Sequence, residues 1–202
     1  TVLTVNALKR NLPRTMEIVE EVLYRPKFSQ EDFDRVKKKQ LEDVKSSMKN
    51  PSAIASNVYR RLLYGDDHIY SVPSSGIEES VEKITLADVK NFYTKYYAPE
   101  VSELVVVGDV SQKDIMNSVD FLKEWKNKGV KIPKMPAVSK MDKTKIYLID
   151  KKEAPQSEIR IGYVTDMSYD ATGDYFKSYL MNYALGGAFN SRVNLNLRED
   201  KG

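Results

Sequence analysis

Apolar residues recur at helical spacing in the first half of the chain. Starting beside Pro13, they repeat every three or four residues until Pro26, at Leu12, Met16, Val19 and Leu23. Positions at this spacing share one face of an α-helix, and proline is tolerated in the first turn because its missing N–H would have no helical partner there. The pattern therefore predicts an amphipathic helix that ends before Pro26.

Capping residues mark the starts of further helices. Ser29 and Thr85 are each followed three residues later by an aspartate, Asp32 and Asp88, which is the arrangement of a capping box. Ser111 precedes another apolar stripe. Together with two more apolar stripes, these signals predict helices over 30–50 and 51–64, one that starts at 86 and ends before Pro99, and one from 112.

A further helical stripe lies near the end of the chain and consists of Phe176, Tyr179, Leu180 and Tyr183. Gly186 and Gly187 follow the stripe and are expected to end that helix. Ser191 can then cap a last short helix that carries Val193 and Leu197.

Four segments follow a different period, at 1–6, 102–107, 146–150 and 157–164. They are short and rich in β-branched residues, which favours strands. Because the strands separate blocks of helices and do not alternate with single helices, the predicted fold class is α+β, with an antiparallel sheet and helices packed on one of its faces.

An aperiodic stretch divides the chain. Residues 126–145 are rich in lysine and contain Pro133 and Pro136, a composition typical of linkers. We therefore predict a linker at 128–142 between one unit at 1–127 and a second at 143–202. Because the chain opens inside an alternating pattern and closes without a change of composition, we expect a fragment of a longer protein with both units truncated.

Charge and hydropathy exclude several classes of partner. The 202 residues include 32 Lys and Arg and 29 Asp and Glu, for a net charge of +3, and the two signs are interspersed. This bias is too weak to predict a nucleic-acid or membrane partner. The longest aliphatic run, 104–107, is far short of the ~20 residues that span a bilayer. We expect a soluble protein, with its compartment open and the bacterial periplasm as a candidate.

Two residue counts limit the chemistry. The chain has no cysteine, which excludes disulfides, thiolate metal sites and cysteine nucleophiles. It has one histidine, His68, so it cannot complete a zinc site that needs two imidazoles. His68 lies between polar neighbours and is expected to be a solvated loop residue. Lys37–Lys39 point around a helix in different directions, which predicts a solvated run and no nucleic-acid patch.

Three groups of residues stand in a recognisable order. The first is the segment 12–19 with its helix, and the second comprises Ile84–Val89, Tyr93, Tyr96, Tyr97, Pro99 and Val105–Asp109. The third is the most specific and comprises Gln156–Ser157, Leu185–Gly187, Phe189, Ser191–Arg192 and Leu197–Gly202. Together they cover nearly the whole chain and resemble the insulinase/pitrilysin family of zinc metallopeptidases.

The resemblance implies repeated α+β halves, of which only one holds zinc. It makes the unit at 1–127 the C-terminal part of one repeat and the unit at 143–202 the N-terminal part of the next. In that family a His-x-x-Glu-His motif supplies two imidazoles, and a glutamate on a later helix completes the site. The corresponding helix here carries Val36 and Asp43 where active members have two glutamates seven residues apart. The chain therefore resembles the non-catalytic half, with no metal ligand or catalytic residue of its own and zinc in the parent or partner half. Val36 is expected to face the core.

The resemblance also implies substrate-binding residues in this chain. Active members use an arginine and, seven residues later, a tyrosine to reach the substrate backbone; Arg198 matches the arginine, and the tyrosine would fall beyond Gly202. Gly186 and Gly187 match a flexible segment near the substrate cavity. These three residues are the candidate substrate-binding residues. Two alternatives stay open: Arg198 as a charge at a helix end, and the glycines as a helix C-cap.

The leading hypothesis is a fragment of a zinc-dependent endopeptidase. The chain would be the inactive, substrate-holding half that complements a zinc-bearing half or subunit in the hydrolysis of peptide bonds, and it would be inactive alone. The alternative is a non-catalytic structural homologue with no substrate role. A basic nucleic-acid-binding module is disfavoured by the balanced charge.

Overall fold

The computed structural model of the chain describes residues 1–138, 141–154 and 156–201. In these ranges the α-helices are α1 (Leu12–Tyr24), α2 (Gln30–Ser47), α3 (Pro51–Tyr64), α4 (Glu78–Lys83), α5 (Leu86–Tyr96), α6 (Gln112–Ser118), α7 (Asp174–Asn182) and α8 (Arg192–Asn194). Short 3-10 turns lie at Lys9–Asn11, Ile69–Ser71, Pro99–Val101 and Asp120–Glu124, and π-helical turns lie at Tyr183–Gly187 and Leu195–Asp200.

The chain forms two compact units. One comprises Thr1–Ser139 with Lys145–Arg160, and the other comprises Lys140–Thr144 with Ile161–Gly202. Positions 139 and 140, inside the predicted linker at 128–142, lie outside the described residues. The assignment of 1–127 and 143–202 to successive repeats stays a prediction.

The predicted caps are confirmed in the first unit. The Ser29 hydroxyl accepts a hydrogen bond from the Asp32 N–H at 3.2 Å, and Thr85 Oγ1 accepts one from the Asp88 N–H at 3.2 Å. Asp88 Oδ2 accepts in return from the Thr85 N–H at 2.8 Å. These bonds satisfy N–H groups that the start of a helix leaves without helical partners. Local sequence signals therefore determine where α2 and α5 begin.

The first unit buries few apolar side chains, namely Val44, Val81, Ala98 and Val119. Helix α2 packs against α4, and the two helices contribute Val44 and Val81. Lys37, which was expected in a solvated run, donates instead to the carbonyl oxygens of Glu82 and Ile84 at 2.7 and 2.8 Å. A cation bound to carbonyls at the end of a helix offsets their unpaired lone pairs, so Lys37 ties α2 to the end of α4.

Tyrosine hydroxyls connect more distant parts of the same unit. The Tyr24 hydroxyl donates to the Phe121 carbonyl at 2.9 Å, and the Tyr93 hydroxyl donates to the Leu23 carbonyl. The Tyr93 ring also meets the Phe28 ring edge to face, with centroids 5.3 Å apart. Each tyrosine thus contributes an apolar contact and satisfies a backbone acceptor, which joins α1 to α5 and to the 120–124 turn.

The predicted sheet is not found in the described part of the chain, so the α+β fold class with an antiparallel sheet is wrong and the observed fold is helical. No backbone hydrogen bond joins one predicted strand to another among the described residues. Their apolar side chains are exposed, with Val107 at 93%, Leu148 at 95% and Ile161 at 92%. The β-branched pattern favours a pleated surface, but a strand also needs a neighbour in register. The described residues provide none.

The second unit begins with a turn that starts α7. Asp170 Oδ1 accepts from the N–H groups of Thr172 and Gly173, both at 2.9 Å. A Cβ atom on Gly173 would lie 1.7 Å from Asp170 Oδ2, so any larger residue there would require the Asp170 carboxylate to move from this position. Helix α7 then continues into the first π-helical turn, which ends at Gly187 as predicted.

Candidate functional site

The candidate residues lie in the two π-helical turns of the second unit. Gly186 and Gly187 close the turn Tyr183–Gly187, and Arg198 lies in the turn Leu195–Asp200. Turns of this kind are rare and occur frequently at functional sites. Among the described contacts, Arg198 and the two glycines are not joined directly.

Arg198 packs on an aromatic ring for which the sequence pattern predicts no role. Its guanidinium carbon lies 4.8 Å from the centroid of the Phe189 ring, a distance at which the cation is attracted by the face of the ring. The Phe189 side chain is 70% exposed, so the pair lies on the surface of the unit. Phe189 belongs to the segment that carries the family resemblance, yet nine residues separate it from Arg198 and no helical period predicts their contact.

The chain under Phe189 is held by a buried serine. Ser191 is one of the most buried residues of the described chain. Its hydroxyl accepts from the Asn194 N–H at 3.4 Å, which confirms it as the cap of α8. The Ser191 N–H donates to the Ala188 carbonyl at 3.0 Å, and the Asn194 side-chain amide donates to the Phe189 carbonyl. The backbone that presents the aromatic ring is therefore fixed on both sides.

The guanidinium keeps its hydrogen-bonding capacity. Within the described residues, its polar contact is Glu199 Oε1 at 3.9 Å from Nε, between side chains that are 61% and 57% exposed. An exposed ion pair at that distance contributes little. The guanidinium has five N–H donors in one plane, and packing of one face on Phe189 leaves them free at its edge. Such a group can bind a peptide carbonyl or a carboxylate.

The two glycines differ in the space around them. A Cβ atom on Gly187 would lie 3.3 Å from the Asn182 carbonyl oxygen, whereas the nearest atom to a Cβ on Gly186 is Asn182 Oδ1 at 4.0 Å. Neither glycine has the positive φ of a glycine C-cap, since the positive-φ glycines of the described chain are Gly65, Gly76 and Gly129. Steric space thus favours glycine at 187 and leaves room for a methyl group at 186.

The described residues do not fit a zinc ion. No group of three His, Asp or Glu side chains among them could hold a metal, and a catalytic zinc needs about three protein ligands. Asp43 Oδ2 lies 3.1 Å from the Lys39 ammonium. His68 is 4% exposed, so the expectation of a solvated histidine is wrong; its Nδ1 already accepts from the Tyr70 N–H at 3.1 Å.

Val36 is also placed differently from the expectation. It is 56% exposed, so its predicted position in the core is wrong. It lines an open apolar groove of about 330 Å³ beside Phe33 and Val89, where no element of the described chain covers it. A helical stripe predicts which face is apolar, but it does not provide the element that covers that face.

The helices were compared with the length and composition of a membrane-spanning segment. None of the helices that the structure describes combines the length and the apolar composition needed to cross a bilayer. The expected periplasmic location receives no support from this observation.

The sequence profile of the peptidase M16 inactive domain matches residues 83–202. This range contains all three candidate substrate-binding residues. It also contains the second and third groups of residues on which the resemblance to the insulinase/pitrilysin family was based.

Two bacterial proteins with similar sequences have names that refer to zinc proteases or to their non-peptidase homologues. A Bacillus subtilis protein named uncharacterized zinc protease YmxG is 22% identical over 93% of this chain and 44% of its own length. A Helicobacter pylori protein named non-peptidase homolog YmxG is 26% identical over 99% of this chain and 45% of its own length. The chain thus spans less than half the length of these relatives.

A solved structure has a similar fold. The crystal structure of a peptidase M16 inactive domain from Pseudomonas fluorescens superposes with a TM-score of 0.69 at 24% sequence identity, over 93% of this chain and 45% of that one. At this level of identity the likeness concerns the fold alone.

Proposed function

The chain belongs to the family of the peptidase M16 inactive domain, and on this premise we propose that it is the substrate-holding, non-catalytic half of a zinc-dependent endopeptidase. Zinc and the attacking water come from a second half, either in the same polypeptide or in a partner subunit. The chain alone hydrolyses no peptide. The family membership carries this proposal, and the zinc-protease name of the Bacillus subtilis relative supports it.

Arg198 is the residue of this chain that acts on the substrate. Its free N–H donors bind a backbone carbonyl of an extended peptide, and contact with Phe189 restricts the plane of the guanidinium. When the scissile carbonyl is attacked, its oxygen gains negative charge, so a donor placed there binds the transition state more strongly than the substrate. Recognition of the backbone also requires no particular substrate side chain.

Gly186 and Gly187 give the backbone beside this site its freedom to adjust. Glycine populates more conformations than any other residue, and the π-helical turn that ends in the pair is held by the Ala188 N–H, which donates to the Tyr183 carbonyl at 3.0 Å. The open space at Gly186 supports this role most directly, because packing does not require a glycine there.

A reconstitution experiment tests the proposed function. The zinc-bearing half and the full-length protein that contains this chain are purified separately, and cleavage of an extended peptide is measured for each and for their mixture. We expect turnover only where both halves are present. Equal turnover by the zinc-bearing half alone would contradict a substrate-holding role.

A structural homologue without a substrate role is the second candidate. The non-peptidase name of the Helicobacter pylori relative favours it. In that case the mixture would assemble, yet removal of the Arg198 guanidinium would leave every measured activity unchanged.

A further inference from the structure

One carboxylate binds the start of the predicted linker to the end of α5. Glu100 lies in the 3-10 turn Pro99–Val101, shortly after that helix. Its Oε1 atom accepts hydrogen bonds from the backbone N–H groups of Lys128 and Val130, both at 2.8 Å. Between these donors, Gly129 has a φ of 73°, a left-handed conformation that favours glycine and turns neighbouring N–H groups toward one anion. This stretch of backbone is thus shaped around the carboxylate.

The side chain of Lys128 provides a second attachment to the same helix. Its ammonium group donates to the Thr94 carbonyl at 2.8 Å and to the Tyr93 carbonyl at 3.4 Å. It also lies 5.6 Å from the centroid of the Tyr93 ring. The last carbonyls of a helix have no helical N–H partner, so a lysine beside them stabilises the helix end. Lys128 therefore binds the end of α5 through both its backbone and its side chain.

The turn that carries Glu100 is itself well fixed. Ala98, just before the turn, is 0% exposed, and the Ser102 hydroxyl donates to its carbonyl at 2.8 Å. The Ser102 N–H donates to the Pro99 carbonyl at 3.1 Å. Desolvation acts to raise the pKa of the Glu100 carboxyl, but the backbone N–H groups that it binds lower that pKa overall. Glu100 is therefore an ionised acceptor at neutral pH.

The backbone that follows Val130 has no comparable attachment. In the part of the chain that the structure describes, residues 131–138 take part in no hydrogen bond or ion pair. Their apolar side chains are exposed, with Ile132 at 76% and Met135 at 53%. Segments with few contacts open at little cost in free energy. The change from bound to unbound backbone therefore falls directly after Val130.

We propose that Glu100 is a clasp that fixes residues 128–130 to the first unit, so that the part of the predicted linker that opens freely within the described residues is 131–138. Hydrogen bonds to an ionised acceptor are stronger than those between neutral groups. Loss of this acceptor would leave two N–H groups to water and remove the anion that the left-handed turn encloses. The clasp lies within the first unit and does not depend on the proposed function.

The first test is amide hydrogen exchange on the unmodified protein, resolved residue by residue by NMR. We expect the amides of Lys128 and Val130 to be protected roughly tenfold or more above those of Lys131 and Ile132, after correction for intrinsic exchange rates. Similar protection on both sides of Val130 would overturn the proposal, because the linker would then open as one segment.

The second test removes the carboxylate in Glu100→Ala. The matched control is Glu103→Ala, because Glu103 is exposed and takes part in no hydrogen bond or ion pair in the described chain. Protection of the Lys128 and Val130 amides should fall roughly tenfold in Glu100→Ala and stay at the parental level in the control. Circular dichroism shows whether both variants fold, and the first test does not depend on them. Retained protection in Glu100→Ala, or equal losses in the two variants, would overturn the proposal.

Limited digestion with trypsin distinguishes local opening from general destabilisation. In Glu100→Ala, cleavage after Lys128 should become roughly tenfold faster than in the parent, whereas cleavage after Lys134 should keep its rate, because Lys134 already lies in the segment without attachments. Equal acceleration at both lysines would contradict a clasp confined to residues 128–130.

Discussion

The resemblance to the family makes helix α2 the counterpart of its metal-binding side and the segment that follows α7 the counterpart of its substrate-binding side, and the two differ in structure. Helix α2 is regular and capped by Ser29, yet it presents Val36 and Asp43 where the resemblance implies metal-binding glutamates. The segment 183–200 is irregular, contains two π-helical turns and holds Arg198 on Phe189. Helix α2 therefore forms without the glutamates that the resemblance implies, while the irregular segment carries an exposed cation.

The largest expected effect is on peptide turnover, from replacement of Arg198 in the irregular segment. In the full-length enzyme with its zinc-bearing half, Arg198→Ala should lower peptide turnover by roughly 10²-fold, the scale for loss of one donor to a developing oxyanion. Arg198→Lys should also be impaired, because an ammonium lacks the planar fork of donors. The matched control is Lys177→Ala, an exposed cation of α7 paired with Asp174 at 3.0 Å. If both Arg198 variants keep the turnover of the parent enzyme, the structural-homologue interpretation would be favoured over a substrate-holding half.

A smaller effect is expected at Gly186. Because a methyl group has room there, Gly186→Ala should fold and gain up to about 1 kcal/mol of stability from its helical propensity. If the turn must adjust to the substrate, turnover should fall several-fold at the same time. Thermal unfolding and peptide cleavage are measured on one preparation. Higher stability with unchanged turnover would favour a purely structural role for the glycines.

Replacement of the aromatic platform should have a milder effect. Phe189→Leu keeps apolar bulk but removes the ring face under Arg198, which is worth about 0.5–1 kcal/mol at an exposed site. We expect turnover to fall roughly two- to fivefold, mainly through weaker positioning of the guanidinium. Phe176→Leu, a replacement on α7, serves as the control. Equal losses in the two variants would show that the contact with Arg198 is not the cause.

On the other side of the comparison, removal of the α2 cap should change stability and leave turnover unaffected. Ser29→Ala removes an N-cap and should cost about 1 kcal/mol in the free energy of unfolding, whereas Ser46→Ala on the exposed part of α2 should have little effect.

The hydrogen bond from Ser29, together with Arg35, lowers the pKa of the Asp32 carboxyl. The ionised Asp32 carboxyl therefore stabilises the folded protein fully above its unfolded-state pKa, near 3.9. This stabilisation is lost as the pH falls through the lower pKa of the folded state. Denaturant titrations at pH 6 and pH 3 measure both effects.

The caps, the helix starts and the family could be predicted from the sequence because their signals are local. Ser29 and Asp32 are three residues apart and bond to each other wherever the helix packs. The strand predictions were wrong, because residues such as Val107 and Leu148 need a neighbour in register that the described chain does not provide. His68 was misplaced because its polar sequence neighbours gave no sign of the two tyrosine rings that cover it.

The candidate site was predicted only in part for a similar reason. Arg198 was identified by its match to a family motif, but its partner Phe189 was not, because the chain between them passes through a cap, a short helix and a π-helical turn. Contacts across such an irregular segment follow no fixed period. The same irregularity leaves the guanidinium exposed on one side, which is the property that the proposed function requires.

The most direct test of the central claim is the zinc content of the chain. After dialysis against metal-free buffer, elemental analysis is made on the parent protein and on the double variant Val36→Glu, Asp43→Glu, which places glutamates at both positions of α2. We expect no stoichiometric zinc in either protein, because the pair of imidazoles is still missing. One tightly held zinc ion per chain of the parent protein would contradict its assignment as the non-catalytic half.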